Sequence, residues 1–319
     1  MGREEGRTTI LLLGAGGQIG RELQRSLADH PGRLVIPDRA AADLSRPESL
    51  RAVVRESRPQ VIVNAAAYTA VDRAEQEQEL AMLINGVSPG VLAEEAEALG
   101  ACMVHYSTDY VFDGTGTATY TEDDAVNPLQ AYGRTKLAGE RAVQRSCRRH
   151  LVLRTSWVFA AHGHNFVRTM LRLAAERDEL RVVADQVGAP TSAALIADVT
   201  SQALRALREQ DAQPTHARRT GPSWGLYHLT ASGRTSWHGL ARHVIARGIE
   251  AGLPLRATPA TVIPISSAEY PVPAARPARS CLDTSRLRGA FGVALADWTL
   301  GVDDVVSTLA HQSQPTGRS

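Results

Sequence analysis

The chain reads as an α/β protein, a doubly wound parallel sheet of the Rossmann type joined to a smaller mixed α/β domain for substrate. Three observations predict this. A short β-rich apolar run, Thr8 to Leu13, leads straight into Gly14-Ala15-Gly16-Gly17-Gln18-Ile19-Gly20 and then into helical periodicity from Arg21 to His30. Strand and helix patterns alternate through the first half, which implies right-handed crossovers and ligands bound outside the carboxyl ends of the strands. Tyr132 and Lys136 stand four residues apart in a helical pattern, so a phenol and an ammonium share one face, one turn apart.

The elements follow in order. Leu34 to Pro37 is a second strand ending at Asp38, Pro47 to Ser57 a helix, and Val61 to Ala66 a buried parallel strand. Glu75 to Asn85 and Val91 to Leu99 read as helices, with Ser88-Pro89-Gly90 between them an odd choice where a helix should run. Cys102 to Ser107 is a strand, Tyr132 to Arg145 a helix with its apolar face at Leu137, Ala138 and Ala142, and Leu151 to Leu153 another strand. The character then changes to loops, a helix at Phe166 to Arg177 and a short strand at Leu180 to Val183. Residues 209–223 lack periodicity and read as an exposed linker before the apolar Leu226 to Leu229. Leu253 to Pro277, rich in Pro and Ala, is expected to wrap a substrate pocket. These patterns assign residues 8–160, with 191–232 returning, to dinucleotide binding, and 161–190 with 233–310 to substrate. Residues 1–7 are expected to form a loose tail.

Composition narrows the function. At 319 residues the chain can bury a large core, which makes a small binding module a poor description. Thirty-five Lys plus Arg balance 34 Asp plus Glu, so no general electrostatic footprint for nucleic acid or an anionic membrane exists and an anionic ligand must be met locally. The three cysteines, Cys102, Cys147 and Cys281, are odd in number and far apart, which fits neither a disulfide framework nor a zinc site and points to reduced thiols in cytoplasm. The run Ile10 to Leu13 is too short for a signal peptide or a membrane span.

The chemistry divides into two ends. Gly14, Gly17 and Gly20 have the spacing that turns a strand sharply, admits a pyrophosphate to the backbone and packs the next helix on the sheet. Asp38, about twenty residues beyond the loop, can accept from the adenosine ribose hydroxyls and favours NADH. Arg39 beside it can meet a 2′-phosphate, so mixed use of NADH and NADPH is expected. Asp43 and Leu44 are expected under the adenine, and the small Ala65-Ala66-Ala67 beside the nicotinamide ribose. At the reactive end, Lys136 is expected to lower the Tyr132 pKa so that the phenol can move a proton near neutral pH. Ser107-Thr108-Asp109 ends a strand at the same sheet edge, and alternation lets only one of the two hydroxyls reach Tyr132. His162-Gly163-His164 has no third ligand in register and reads as a solvated loop, not a metal site.

Six blocks carry a resemblance. Gly14 to Gly20, Val61 to Asp72, His105 to Phe112, Tyr132 to Glu140, Arg154 to Val158 and Asp185 to Thr191 are similar, in order and spacing, to the dTDP-4-dehydrorhamnose reductases, extended members of the short-chain dehydrogenase/reductase superfamily. The likeness runs from Ile10 to about Val306. It implies NAD(P)H-dependent reduction of the C4 keto group of a dTDP-sugar, with Tyr132 as general acid, Lys136 as its partner and ribose holder, and Thr108, not Ser107, as the tuning hydroxyl. It also implies cofactor contacts from Gly14, Gly17, Gln18, Ile19, Gly20, Asp38, Asp43, Leu44, Ala67, Tyr68 and Thr69. The sugar site would take Thr108, Asp109 and Trp157, whose indole can cover the apolar face of a deoxysugar, with Asn165, Gln186 and Arg276 as further candidates. Homodimers, sometimes with Mg²⁺ held by glutamates at the subunit contact, are implied by the same likeness. Two other readings belong to the superfamily: a non-catalytic nucleotide-binding subunit of a methionine adenosyltransferase, and an epimerase or dehydratase that retains its cofactor.

Overall fold

The structure is a computed structural model that describes residues 8–28, 30, 32–116, 118–212 and 223–313. The expected N-terminal tail lies outside them. Of the expected linker, residues 209–212 continue a helix instead and 213–222 lie outside the described residues.

The first half of the chain runs β1 (Thr8–Leu13), α1 (Gln18–Ser26), β2 (Gly32–Val35), α2 (Pro47–Ser57), β3 (Val61–Asn64), α3 (Gln78–Met82), α4 (Ser88–Leu99), β4 (Cys102–Thr108), α5 (Ala131–Ser146) and β5 (His150–Thr155). The second runs β6 (Val158–Phe159), α6 (Phe166–Glu176), β7 (Leu180–Val183), β8 (Val187–Gly188), β9 (Thr191–Ser192), α7 (Ala193–Ala212), β10 (Gly225–His228), β11 (Thr235–Ser236), α8 (Trp237–Glu250), β12 (Val262–Ile265), α9 (Ser285–Phe291) and α10 (Trp298–Ser313).

Six strands form one parallel sheet in the order β10-β5-β4-β3-β1-β2. The chain moves outward from β1 to β2 and then crosses back to place β3 on the other side of β1. That reversal opens a crevice above the carboxyl ends of β1 and β3, where a doubly wound sheet binds its ligand. Both faces are covered, which is why the strands read as near-continuous apolar runs. Ile10, Leu12, Val63, Val104 and Leu153 pack with Leu23 of α1 and Ile196, Leu204 and Leu207 of α7. Leu11, Leu13, Ile62, Met103 and Val152 pack on the opposite face with Leu50, Val54, Leu92, Ala96 and Val143. A separate core, built from Val167, Leu171, Leu240, Val244, Val302 and Val306 of α6, α8 and α10, holds the second lobe, where β12 pairs in parallel with β7.

Ser88-Pro89-Gly90, an odd choice for a helix, lies in helical backbone. A π-helical turn, Leu83–Val87, connects α3 to α4, so the backbone stays helical from Gln78 to Leu99. Proline has no N–H to donate four residues back to the Asn85 carbonyl. Gly139 of α5 fills the gap: a Cβ there would lie 2.0 Å from that oxygen. A Cβ on Gly90 would likewise lie 3.0 Å from the Ala142 methyl, so small residues on both helices let them pack close together.

Candidate active site

The cofactor end is built by the turn after β1. Gly14 has φ 77°, and a Cβ on it would lie 2.5 Å from the Ala66 nitrogen, so only glycine lets the loops after β1 and β3 touch. Gly17 caps α1 without any side-chain acceptor, and no acidic residue occupies the first turn, which leaves N–H groups there to face an anion. A dinucleotide diphosphate fits this cradle. Beyond it, Asp38 and Arg39 are exposed at the end of β2, and Asp38 Oδ1 already accepts from the Ala41 N–H at 2.8 Å. Asp43 Oδ1 accepts from the Ser45 N–H at 2.9 Å and hydroxyl at 2.7 Å, which holds its carboxyl below the usual range. Leu44 corrects an expectation: its side chain belongs to the core under α2, because apolar burial outweighs a surface contact there, and its carbonyl accepts from the Ser88 hydroxyl at 2.6 Å.

The loop after β3 is tied down by a residue the sequence reading passed over. Asn85 Oδ1 accepts from the Tyr68 N–H at 2.8 Å, while its Nδ2 donates to the Tyr68 carbonyl at 3.0 Å and to Thr135 Oγ1 at 3.2 Å. Ala67, Tyr68 and Thr69 are thereby fixed against α5. The Tyr68 phenol donates to Glu77 at 2.5 Å, which raises its pKa. A polar side chain inside an apolar helical pattern was the available signal for Asn85.

At the reactive end, α5 starts where Gln130 accepts from the Gly133 N–H at 2.9 Å, placing Tyr132 in the first turn beside the end of β4. Tyr132 stands edge-on to Tyr110, with ring centroids 6.1 Å apart. Thr108 is the hydroxyl on its side: Thr108 opposes the rise of the Tyr132 phenol pKa, and Thr108 Oγ1 donates to Asp109 Oδ1 at 3.1 Å. Ser107 points to the other face, as alternation requires, and its hydroxyl has no partner.

The expected lowering of the phenol pKa is corrected. Burial dominates, the Asp109 charge adds to it, and Thr108 opposes it only partly, so Tyr132 is pushed up to about 12. Lys136, 2% exposed, donates instead to the Tyr106 carbonyl at 2.6 Å, and burial brings its own pKa down to about 8 against the pull of Glu140. Asp109 is 2% exposed and pushed up to about 7 by burial, which outweighs the opposing influence of Ser280 and of the Thr108 hydrogen bond. Its Oδ2, the Ser107 hydroxyl, Thr155 Oγ1 and His105 Nε2 are buried without partners around the carboxyl ends of β4 and β5. Native interiors satisfy nearly all such atoms, so each of these four is an exception.

The remaining candidates divide. Trp157 has φ 47°, outside the range most side chains tolerate. Its indole stacks on Trp237 with centroids 3.5 Å apart and planes at 6°. Gly188 admits the ring, since a Cβ there would lie 2.6 Å from it. Gln186 works from behind, accepting from Trp237 Nε1 at 3.2 Å and donating to Ser267 at 2.9 Å. The sequence reading passed over Trp237, because an aromatic in a helical pattern is more often core. Arg276 reaches the rim of the site, where its guanidinium pairs with Asp72 at 2.9 Å. Asn165 is elsewhere: it caps α6, and its Nδ2 donates to Gln18 Oε1, Ala160 O and His162 O. It braces the glycine loop and has no donor left for a sugar, which corrects its place among the substrate candidates. Among the described residues, no group of three or more His, Cys, Asp or Glu side chains is placed to hold a metal ion, and no helix is long and apolar enough to cross a membrane.

Comparison with known proteins agrees with this geometry. The model of the RmlD substrate binding domain matches residues 8–311. A dTDP-4-dehydrorhamnose reductase of Burkholderia thailandensis is 48% identical over 306 residues, covering 95% of this chain and 99% of that protein. Two solved dTDP-4-dehydrorhamnose reductases superpose closely. That of Clostridium acetobutylicum has a TM-score of 0.83 at 35% identity and covers 95% of this chain and 99% of its own. That of Bacillus anthracis, in complex with NADP, has a TM-score of 0.82 at 32% identity and covers 94% and 99%.

Proposed function

This chain belongs to the RmlD substrate binding domain family, and from that premise we propose that it is a dTDP-4-dehydrorhamnose reductase. It uses NADPH or NADH to reduce the C4 keto group of dTDP-4-dehydro-β-L-rhamnose to dTDP-β-L-rhamnose, the last step in making that activated sugar. One observation carries the reading: a single sheet edge presents the Gly14 to Gly20 cradle and, past β4, the linked Thr108, Asp109 and Tyr132.

When bound, the reduced nicotinamide supplies a hydride. Tyr132 supplies the proton to the C4 oxygen, and its raised pKa keeps it protonated at neutral pH until negative charge develops on that oxygen. Thr108 holds the phenol in place. Lys136, oriented by the Tyr106 carbonyl, holds the nicotinamide ribose. Gly14, Gly17, Gln18, Ile19 and Gly20 take the diphosphate, Asp38 the ribose hydroxyls and Arg39 a 2′-phosphate. Asp43, the Leu44 backbone, Ala67, Tyr68 and Thr69 line the nucleoside. Asp109, Trp157, Gln186 and Arg276 serve the sugar nucleotide. Residues 8–160 and 191–232 carry the cofactor, and 161–190 with 233–310 the substrate. A homodimer working in the cytoplasm completes the reading, on the strength of the family likeness and the cysteine usage.

The test is direct. Purified protein given dTDP-4-dehydro-L-rhamnose should oxidise NADPH, followed by its absorbance, and release dTDP-L-rhamnose. Cofactor binding without oxidation would favour the non-catalytic subunit, and NAD retained through purification would favour the epimerase.

A further inference from the structure

Resting on the reductase reading, we infer that Asp109 is the proton reservoir that reloads Tyr132 through the Thr108 hydroxyl after each reduction. Three facts place it. Asp109 is 2% exposed, and its Oδ2 is buried without a partner. Its Oδ1 accepts from Thr108 Oγ1 at 3.1 Å. Thr108 also acts on the Tyr132 phenol, and it accepts from the Tyr110 N–H at 3.1 Å, which fixes its rotamer on the side of both acids.

The transfer balances. Reduction of the ketone consumes one hydride and one proton, and the proton leaves the Tyr132 O–H for the new alkoxide oxygen. A phenolate remains. The Thr108 Oγ–H then passes to the phenolate oxygen while the carboxylic proton of Asp109 passes to Thr108 Oγ, which restores the phenol and leaves Asp109 as carboxylate. One proton from solvent returns Asp109 to its starting state. Direction follows from acidity: the phenol is pushed up to about 12 and Asp109 only to about 7, so the proton runs from carboxyl to phenolate. Lys136 gives one of its three N–H donors to the Tyr106 carbonyl and is assigned above to the nicotinamide ribose.

The groups facing Asp109 are accounted for. Thr108 and Tyr110 flank it in the chain, Tyr132 approaches from α5, and Ser280 and Cys281 approach from the segment after Pro277, with Ser280 acting to lower its pKa. Arg276 with Asp72 acts on Tyr110, and Arg234 and Arg279 act on Cys281, all one layer further out.

The experiment compares kcat and KM across pH for the wild type, Asp109→Asn, Asp109→Glu, Thr108→Val and Thr108→Ser, using NADPH and dTDP-4-dehydro-L-rhamnose. Wild-type kcat should decline as pH rises through neutrality, because only protonated Asp109 can reload the phenol. Asp109→Asn and Thr108→Val should each lose at least ~10-fold in kcat with the NADPH KM unchanged, and the neutral inflection should vanish, leaving only the more alkaline one of Lys136. Asp109→Glu and Thr108→Ser should restore most of the rate. Combining Asp109→Asn with Thr108→Val should cost little beyond either alone, since both cut one path. An Asp109→Asn enzyme with a raised sugar-nucleotide KM but a wild-type kcat profile overturns the relay and leaves Asp109 a binding group. Absence of turnover by the wild type overturns the reductase reading itself.

Discussion

At the scale of the residue, Asp109 shows what a functional carboxyl costs a fold. Its pKa is raised from an ordinary 3.8 to about 7, so the folded state holds its proton more tightly than the unfolded chain. Its contribution to stability is full below about pH 4 and is lost as pH rises through about 7. Asp109→Asn removes that dependence. Thermal denaturation should show the variant gaining on the wild type as pH rises from 4 to 8, by a margin on the order of 4 kcal/mol at the upper end. Equal melting curves at both pH values would reject the buried ionisable carboxyl. For Tyr132→Phe we expect kcat to fall by about 10²-fold or more while NADPH affinity holds, read from steady-state kinetics beside a cofactor titration. Asp38→Ala should weaken NADH more than NADPH, since the carboxylate serves free ribose hydroxyls; equal losses would remove that contact.

At the scale of the element, α5 is held from two sides. On one, its glycine and alanines meet the Pro89 helix closely, and Gly139→Ala would drive a methyl into the Asn85 carbonyl. Overpacking of that kind should destabilise by about 1–3 kcal/mol or more, measured by urea denaturation, and should loosen Tyr68, which Asn85 anchors. On the other side, Glu140 receives a bidentate clamp from Arg154 at 2.9 and 2.8 Å, with both side chains buried. Glu140→Leu leaves the guanidinium unpaired and should cost about 3–5 kcal/mol, much of it recovered by adding Arg154→Met. Period and punctuation made most elements readable: α2 lies at Pro47–Ser57 and α6 begins at Phe166, both where apolar spacing and flanking residues put them. The helix through Pro89 was not readable, because a proline normally ends a helix and the compensating glycine sits fifty residues away on another element. The direction of the Tyr132 shift was hidden for a related reason. Spacing showed that Lys136 lies one turn on, but not that a strand carbonyl would accept its hydrogen bond.

At the scale of the molecule, the sheet order sets the crevice and the tail closes its rim. Asp72, in the loop after β3, receives both the Ala274 N–H at 3.2 Å and the Arg276 guanidinium, joining the first lobe to the segment expected to wrap the pocket. Cofactor bound across that crevice stabilises only the folded state. NADPH at 100 times its Kd should therefore add about 2.7 kcal/mol, and Gly14→Ala should abolish the shift in melting temperature. The doubly wound class was visible in the alternation of strand and helix, whereas pairings such as Gln18 with Asn165, far apart in sequence, were not. Trp157 has a practical bearing on enzymes made for other sugars. Because its backbone sits at φ 47°, most replacements there would upset the chain before they reshaped the sugar site proposed for it. Libraries aimed at new glycosyl donors should keep position 157 fixed and randomise Gln186 and Trp237, which steer the indole from ordinary backbone.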